Sequence, residues 1–114
     1  MKDVEACNLT EEEVTAISDT LPLEEAVQDL SDFLKVFGDP TRIRILFLLR
    51  DRELCVHDIC SVLNMQQATI SHQLKMLRQA RLVRYRKEGK MVFYTTNDTH
   101  IDAILKLGLE HIEE

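Results

Sequence analysis

The sequence predicts a mainly α-helical domain that carries a single β-hairpin. Two observations carry that reading. Two short helical segments, about His57 to Leu63 and about Gln67 to Gln79, are joined only by Asn64-Met65-Gln66. Two strand-like runs then follow, Leu82-Val83-Arg84-Tyr85-Arg86 and Met91-Val92-Phe93-Tyr94-Thr95, flanking Lys87-Glu88-Gly89-Lys90. Helix, tight turn, helix and hairpin, in that order, make a winged helix-turn-helix.

The remaining elements are helices with readable starts. Thr10-Glu11-Glu12-Glu13 has capping-box spacing and opens a short helix. A second helix follows Pro22, with Leu23, Val27, Leu30, Leu34 and Phe37 at helical intervals. Gly38-Asp39-Pro40 ends it; Asp39 can cap the next helix and Pro40 suits its first turn. That third helix buries Ile43, Leu46, Phe47 and Leu49, with Arg42 and Arg44 expected toward its polar side. The last helix starts near Asp98 and runs almost to the end, with Ile101, Ile104, Leu105, Leu107, Leu109 and Ile112 for packing. Residues 1–20 are expected to form an acidic, partly flexible arm, and residues 21–114 one DNA-binding and dimerisation domain.

Charge separates along the chain. Its 114 residues carry a net charge of -6, yet residues 40–97 hold eleven basic and four acidic side chains. Residues 1–39 hold two basic and eleven acidic, and residues 98–114 one basic and five acidic. A basic middle coincident with the helix-turn-helix and hairpin is an electrostatic footprint for double-stranded DNA, because local field guides docking. The second helix of the pair fits a major groove about 12 Å wide. Gln67 suits a bidentate contact to adenine, and Ser71 and His72 a base edge or phosphate. Lys75, Arg78, Arg84, Arg86, Lys87 and Lys90 suit backbone phosphates, which position a protein without reading sequence.

Enzymatic chemistry is not expected. Ser71 and His72 are adjacent on a helix and point about 100° apart, so they form no nucleophile–base pair, and no nucleophile elbow accompanies them. No apolar run approaches the roughly 20 residues that span a bilayer. Met1-Lys2-Asp3-Val4-Glu5 leads into no signal-peptide core, so a cytoplasmic protein without a membrane partner is expected. Three cysteines, Cys7, Cys55 and Cys60, fit reduced thiols or metal ligands better than a disulfide framework.

The last helix carries the sharpest chemical signal. Asp98-x-His100 stands at one end and His111-x-x-Glu114 at the other. The two histidines are separated by roughly 16 Å of helix rise, too far to share an ion, yet they return to nearly the same face. Two such helices packed antiparallel would bring Asp98 and His100 of one chain beside His111 and Glu114 of the other. Two equivalent N2O2 sites per dimer result, a donor set suited to two Zn(II) ions and to no organic cofactor. A second candidate set is Cys55 and His57 at a helix entrance, completed by Cys7 from the arm. Cys60 faces the buried side of its short helix and reads as a small hydrophobe.

With these motifs in place, the chain resembles the ArsR/SmtB family of bacterial metal-sensing repressors from about residue 25 to residue 114. The likeness rests on Gly38-Asp39-Pro40-Thr41-Arg42-Ile43-Arg44-Ile45-Leu46, Glu53-Leu54-Cys55-Val56-His57-Asp58, Ala68-Thr69-Ile70-Ser71-His72-Gln73-Leu74-Lys75-x-Leu77 and Arg86-Lys87-Glu88-Gly89-Lys90-x-x-x-Tyr94. It implies a homodimer joined through its first and last helices and bound, when metal-free, to an operator with an inverted repeat. Zinc-responsive members place Asp-x-His and His-x-x-Glu or His-x-x-His on the last helix, matched here by Asp98, His100, His111 and Glu114. Metal binding would then release DNA and derepress efflux or sequestration genes.

Departures keep alternatives open. Cadmium and lead sensors resemble Cys-x-Cys with further arm cysteines, whereas this chain has His57 and only Cys7. Arsenite sensors use Cys-x-Cys-x-x-Cys, and here the middle thiol is again His57. Imidazole in place of thiolate moves that site toward zinc, Co(II) or Cd(II). A Cd(II)/Pb(II) or mixed soft-metal sensor using Cys7, Cys55 and His57 stays open, as does a thiol redox regulator acting through Cys55 and Cys60. Gln66 stands where the family often has a Ser or Thr helix cap.

Overall fold

The computed structural model describes residues 8–114, which divide into two compact units between Asp32 and Phe33. The first unit contains helix α1 (Glu11–Ser18) and most of helix α2 (Glu24–Phe37). The capping box at Thr10 is formed in full. Its hydroxyl accepts from the Glu13 amide at 3.1 Å, while the Glu13 carboxylate accepts from the Thr10 amide at 2.8 Å. α1 buries none of its residues, and Leu23, Val27 and Leu30 of the first unit are exposed.

The second unit runs from the end of α2 through α3 (Pro40–Leu48), α4 (Val56–Leu63), α5 (Gln67–Gln79), β1 (Val83–Glu88), β2 (Met91–Thr96) and α6 (Thr99–Glu113). This is the expected winged helix-turn-helix. Asp39 caps α3, accepting from the Arg42 amide at 3.0 Å, and Pro40 occupies the first turn. The core gathers Ile45, Leu46 and Leu49 with Ile59 of α4, Ile70, Leu74 and Leu77 of α5, and Ile101 and Leu105 of α6.

Three local expectations shift. α4 opens at Val56, one residue early. Leu82 is fully buried ahead of β1 rather than within it, and the strands pair from Val83↔Thr96 to Glu88↔Met91. The turn therefore contracts to Gly89-Lys90, with Gly89 at φ +63° in the first loop position, as a II′ hairpin requires. The third shift concerns Arg42, which points inward. Its Nε donates to the Val36 carbonyl at 2.7 Å, and its NH1 donates to Gln73 Oε1 at 3.2 Å and lies 3.8 Å from Met76 Sδ. The guanidinium satisfies a carbonyl at the end of α2 and reaches across to α5, which a purely amphipathic reading of α3 misses. Arg44 remains exposed, as expected.

Arg42→Met keeps the apolar stem and deletes these bonds. The expected loss is about 1.5–3 kcal/mol in urea unfolding, with an unchanged denaturant slope. Arg42→Lys should recover less than half of it, since an ammonium lacks the planar fork. Arg44→Met should stay within about 0.5 kcal/mol of the parent.

Candidate nucleic-acid interface and metal half-sites

α5 is oriented by its inner stripe. Ile70, Leu74 and Leu77 are essentially inaccessible, which forces Gln67, Ser71, His72, Lys75 and Arg78 outward. The turn before it is sharp because Asn64 adopts left-handed backbone, φ 54° and ψ 51°, at the end of α4. Gln66 occupies the N-cap position of α5 without a side-chain cap bond, so packing rather than capping fixes this helix.

The hairpin has two chemically different faces. On one, Tyr85 and Tyr94 are cross-strand partners with ring centroids 5.9 Å apart, and Arg78 of α5 lies over the Tyr85 ring at 5.0 Å. On the other, the arginines already have protein partners. Arg84 donates to the Asn97 carbonyl at 2.9 Å. Arg86 donates through Nε to both oxygens of Glu53, at 2.9 and 3.0 Å, and through NH1 to Glu88 at 2.8 Å, while lying over the Phe93 ring at 4.9 Å. Hydrogen bonding from Arg86 holds the Glu53 carboxyl below its ordinary range, and the two carboxylates raise the guanidinium pKa in return. Backbone bonds between Leu54 and Tyr94, at 2.8 and 3.0 Å, fasten the same loop to β2.

Of the nine proposed DNA-contacting residues, Gln67, Ser71, His72, Lys75, Lys87 and Lys90 are thus presented outward on α5 and the wing. Arg78 is stacked, and Arg84 and Arg86 are tied to the protein. Glu53 is the participant that sequence reasoning missed. It lies 33 positions from Arg86, and no local pattern marks the pairing.

The last helix presents two separate pairs of donors. Asp98 is the α6 N-cap; its Oδ1 accepts from the His100 amide at 2.9 Å and the Ile101 amide at 3.4 Å. The same oxygen is 3.3 Å from His100 Nδ1. At the far end His111 Nδ1 lies 3.9 Å from Glu114 Oε1. The imidazoles are 88% and 81% exposed, respectively. Two donors of a tetrahedral zinc ion with bonds near 2.05 Å stand about 3.3 Å apart. The first pair already has that separation, and the second needs a small side-chain adjustment. Among the described residues of one chain, no three such groups come close enough to hold an ion, so α6 offers two donors at each end.

The upstream candidates are arranged otherwise. Cys55 is only 7% exposed and precedes the first turn of α4, whereas His57 faces solvent. Cys60 is half-buried against the core. Cys7 lies outside the described residues. The third feature of the second unit is an apolar cleft of about 240 Å³ between α3 and α6, lined by Phe37, Ile43, Phe47, Leu105 and Ile112 among others.

Comparisons with known proteins agree with this geometry. Residues 39–85 match the family described as "Bacterial regulatory protein, arsR family". A transcriptional repressor SmtB homolog of Synechocystis sp. is 33% identical over 96 residues, spanning 84% of this chain and 72% of that protein. A cadmium resistance transcriptional regulatory protein CadC homolog of Staphylococcus aureus is 34% identical, over 75% of this chain and 72% of its own length. Among solved structures, HlyU from Vibrio cholerae superposes with a TM-score of 0.73 at 33% identity, covering 81% of this chain and all of that one. No described helix is long and apolar enough to cross a membrane.

The Glu53–Arg86 pair has a defined pH window. Because the folded Glu53 pKa lies below its reference value of 4.5, the pair contributes stability above that pH and loses it as pH falls through the depressed value. In an NMR titration the Glu53 carboxyl midpoint should lie below 4.5 in the parent and move up toward it in Arg86→Met. An unchanged midpoint in the variant would show that Arg86 is not its cause.

Proposed function

Because the chain belongs to the arsR family of bacterial regulatory proteins, we propose that it is a zinc-responsive, homodimeric transcriptional repressor, bound to operator DNA when metal-free and released by Zn(II). The carrying observation is the pair of exposed two-donor half-sites at opposite ends of α6, with Asp98 and His100 already at the spacing of a zinc coordination edge. Antiparallel apposition of two α6 helices completes both sites, two ions per dimer. Leu109 and Ile112, exposed in the single chain beside the apolar cleft, supply surface for that contact.

DNA is met by Gln67, Ser71, His72, Lys75 and Arg78 of α5 and by Lys87 and Lys90 of the wing. Arg84 and Arg86 act there only if phosphate displaces their present partners. A two-fold dimer presents two α5 helices to half-sites one helical turn apart, about 34–36 Å, hence an inverted repeat. Zinc, when bound, supplies a fixed bridge between the two chains. Release follows as linkage: Asp98 and His100 meet the partner's His111 and the partner's Glu114 best in a dimer geometry whose α5 spacing fits the operator less well. A coupling of ~3 kcal/mol changes occupancy by about two orders of magnitude. The regulated genes are then those of metal efflux or sequestration.

An N2O2 donor set favours Zn(II), and Co(II) after it, over thiophilic ions. A Cd(II) or Pb(II) sensor built on Cys7, Cys55 and His57 has the name of the Staphylococcus aureus relative in its favour. The burial of Cys55 counts against it.

The test uses duplexes selected from a random library by the metal-free protein, with binding followed by anisotropy as free zinc is raised. The parent should lose about 100-fold in affinity and regain it on chelation. His100→Ala combined with His111→Ala should bind DNA normally and ignore zinc, while Cys55→Ser behaves as the parent. Release of the histidine variant at the parental zinc concentration sinks the proposal. Zinc-insensitivity of Cys55→Ser alone would move regulation upstream, and recovery by thiol rather than chelator would favour a redox switch at Cys55 and Cys60.

A further inference from the structure

Tyr85 sits where the helix-turn-helix meets the wing. It is 41% exposed, paired across the hairpin with Tyr94, and covered by the Arg78 guanidinium at 5.0 Å. Tyr94 in turn is held by its two backbone bonds to Leu54. The result is a stack that runs from the anchored strand β2 through Tyr85 to the last turn of α5.

We propose that Tyr85 is a positioning residue of the DNA interface: its ring holds the Arg78 guanidinium at the α5–wing junction, oriented for a backbone phosphate. This rests on the assignment of Arg78 to the DNA face. A free arginine on the last turn of a helix samples many rotamers and loses most of them on contacting phosphate. A cation over an aromatic face is attracted at centroid distances up to about 6 Å, and the interaction restricts that search in advance. Stacking occupies the guanidinium face and leaves its edge N–H donors available to oxygen acceptors. Arg78 differs here from Arg84, which gives one NH1 donor to the Asn97 carbonyl, and from Arg86, whose edge donors are engaged by Glu53 and Glu88. Among the described residues, Arg78 is stacked on an aromatic ring while its side chain makes no hydrogen bond to the protein.

Phosphate contacts are sequence-independent, so a random-sequence duplex of about three helical turns at low salt is a sufficient probe. Four variants are compared with the parent: Tyr85→Phe, Tyr85→Leu, Arg78→Ala and the double variant Tyr85→Leu with Arg78→Ala. Leucine keeps an apolar, strand-compatible side chain over Tyr94, and parental thermal melting verifies that the hairpin is intact. Tyr85→Phe should bind within about 1.5-fold of the parent, and Tyr85→Leu should lose about two- to five-fold. Arg78→Ala should lose more and lower the salt slope by about one. In the Arg78→Ala background, Tyr85→Leu should have no further effect. An undiminished loss in that background, or an equal loss in Tyr85→Phe, overturns the positioning role and makes Tyr85 a direct contact. Parental binding by Tyr85→Leu alongside a weakened Arg78→Ala overturns it while sparing the DNA face. Parental affinity and salt slope in Arg78→Ala overturn the assignment on which it rests.

Discussion

Burial of the inner stripe of α5 is the constraint from which the rest of the interface follows. Ile70, Leu74 and Leu77 pack with Ile45 and Leu46 of α3, Leu49 just after it and Ile59 of α4, and each is almost inaccessible. At roughly 1.5–3 kcal/mol for each buried aliphatic side chain, no rotation of α5 that exposes this stripe competes. The outer stripe is therefore fixed by the inner one. That explains how α5 keeps its place without a side-chain cap at Gln66, and why Arg42 reaches it through Gln73 and Met76 rather than facing water.

The same logic sets what a reader of the sequence can see. Hydrophobic spacing and cap residues within a segment are local information, and together they delivered α5, the two strands, the capped starts of α1 and α3 and the start of α6. Arginine is harder to read, because its stem is apolar and its head seeks acceptors wherever they lie. Arg42, Arg84 and Arg86 all resemble free cations along the chain. Their partners stand 6 and 31, 13, and 33 positions away, respectively, apart from the local Arg86–Glu88 pair. A basic run thus reports the sign of a surface well and the availability of any one guanidinium poorly.

Metal chemistry shows the converse case. The spacing of Asp98, His100, His111 and Glu114 is legible as two pairs because helix geometry alone separates them, and the structure keeps them as two exposed pairs. Cys55, His57 and Cys60 look equally local in sequence. Their helix nevertheless turns one thiol into the core and the imidazole out, a division decided by packing partners on other elements.

Exposure of the α6 donors has a consequence for how a signal would travel. The two imidazoles, each more than four-fifths exposed, make few contacts that metal binding has to break, while Asp98 caps the helix through the His100 and Ile101 amides. A response would therefore come from what α6 itself is attached to. Its first turn is attached firmly. Thr96 Oγ1 donates to Asp102 at 2.9 Å, the Asn97 amide donates to the Leu82 carbonyl at 2.9 Å, and the Asn97 carbonyl accepts from Arg84. Leu82 directly follows the α5 exit, where its amide bonds to the Leu77 carbonyl at 2.9 Å. Asp98 follows Asn97 in the chain, so if metal binds the proposed Asp98–His100 half-site, a displacement there would load a short, hydrogen-bonded path that ends on α5. In the proposed metal site, the N-cap position connects Asp98 and His100 to α5 through the hydrogen bonds of Asn97 and Leu82.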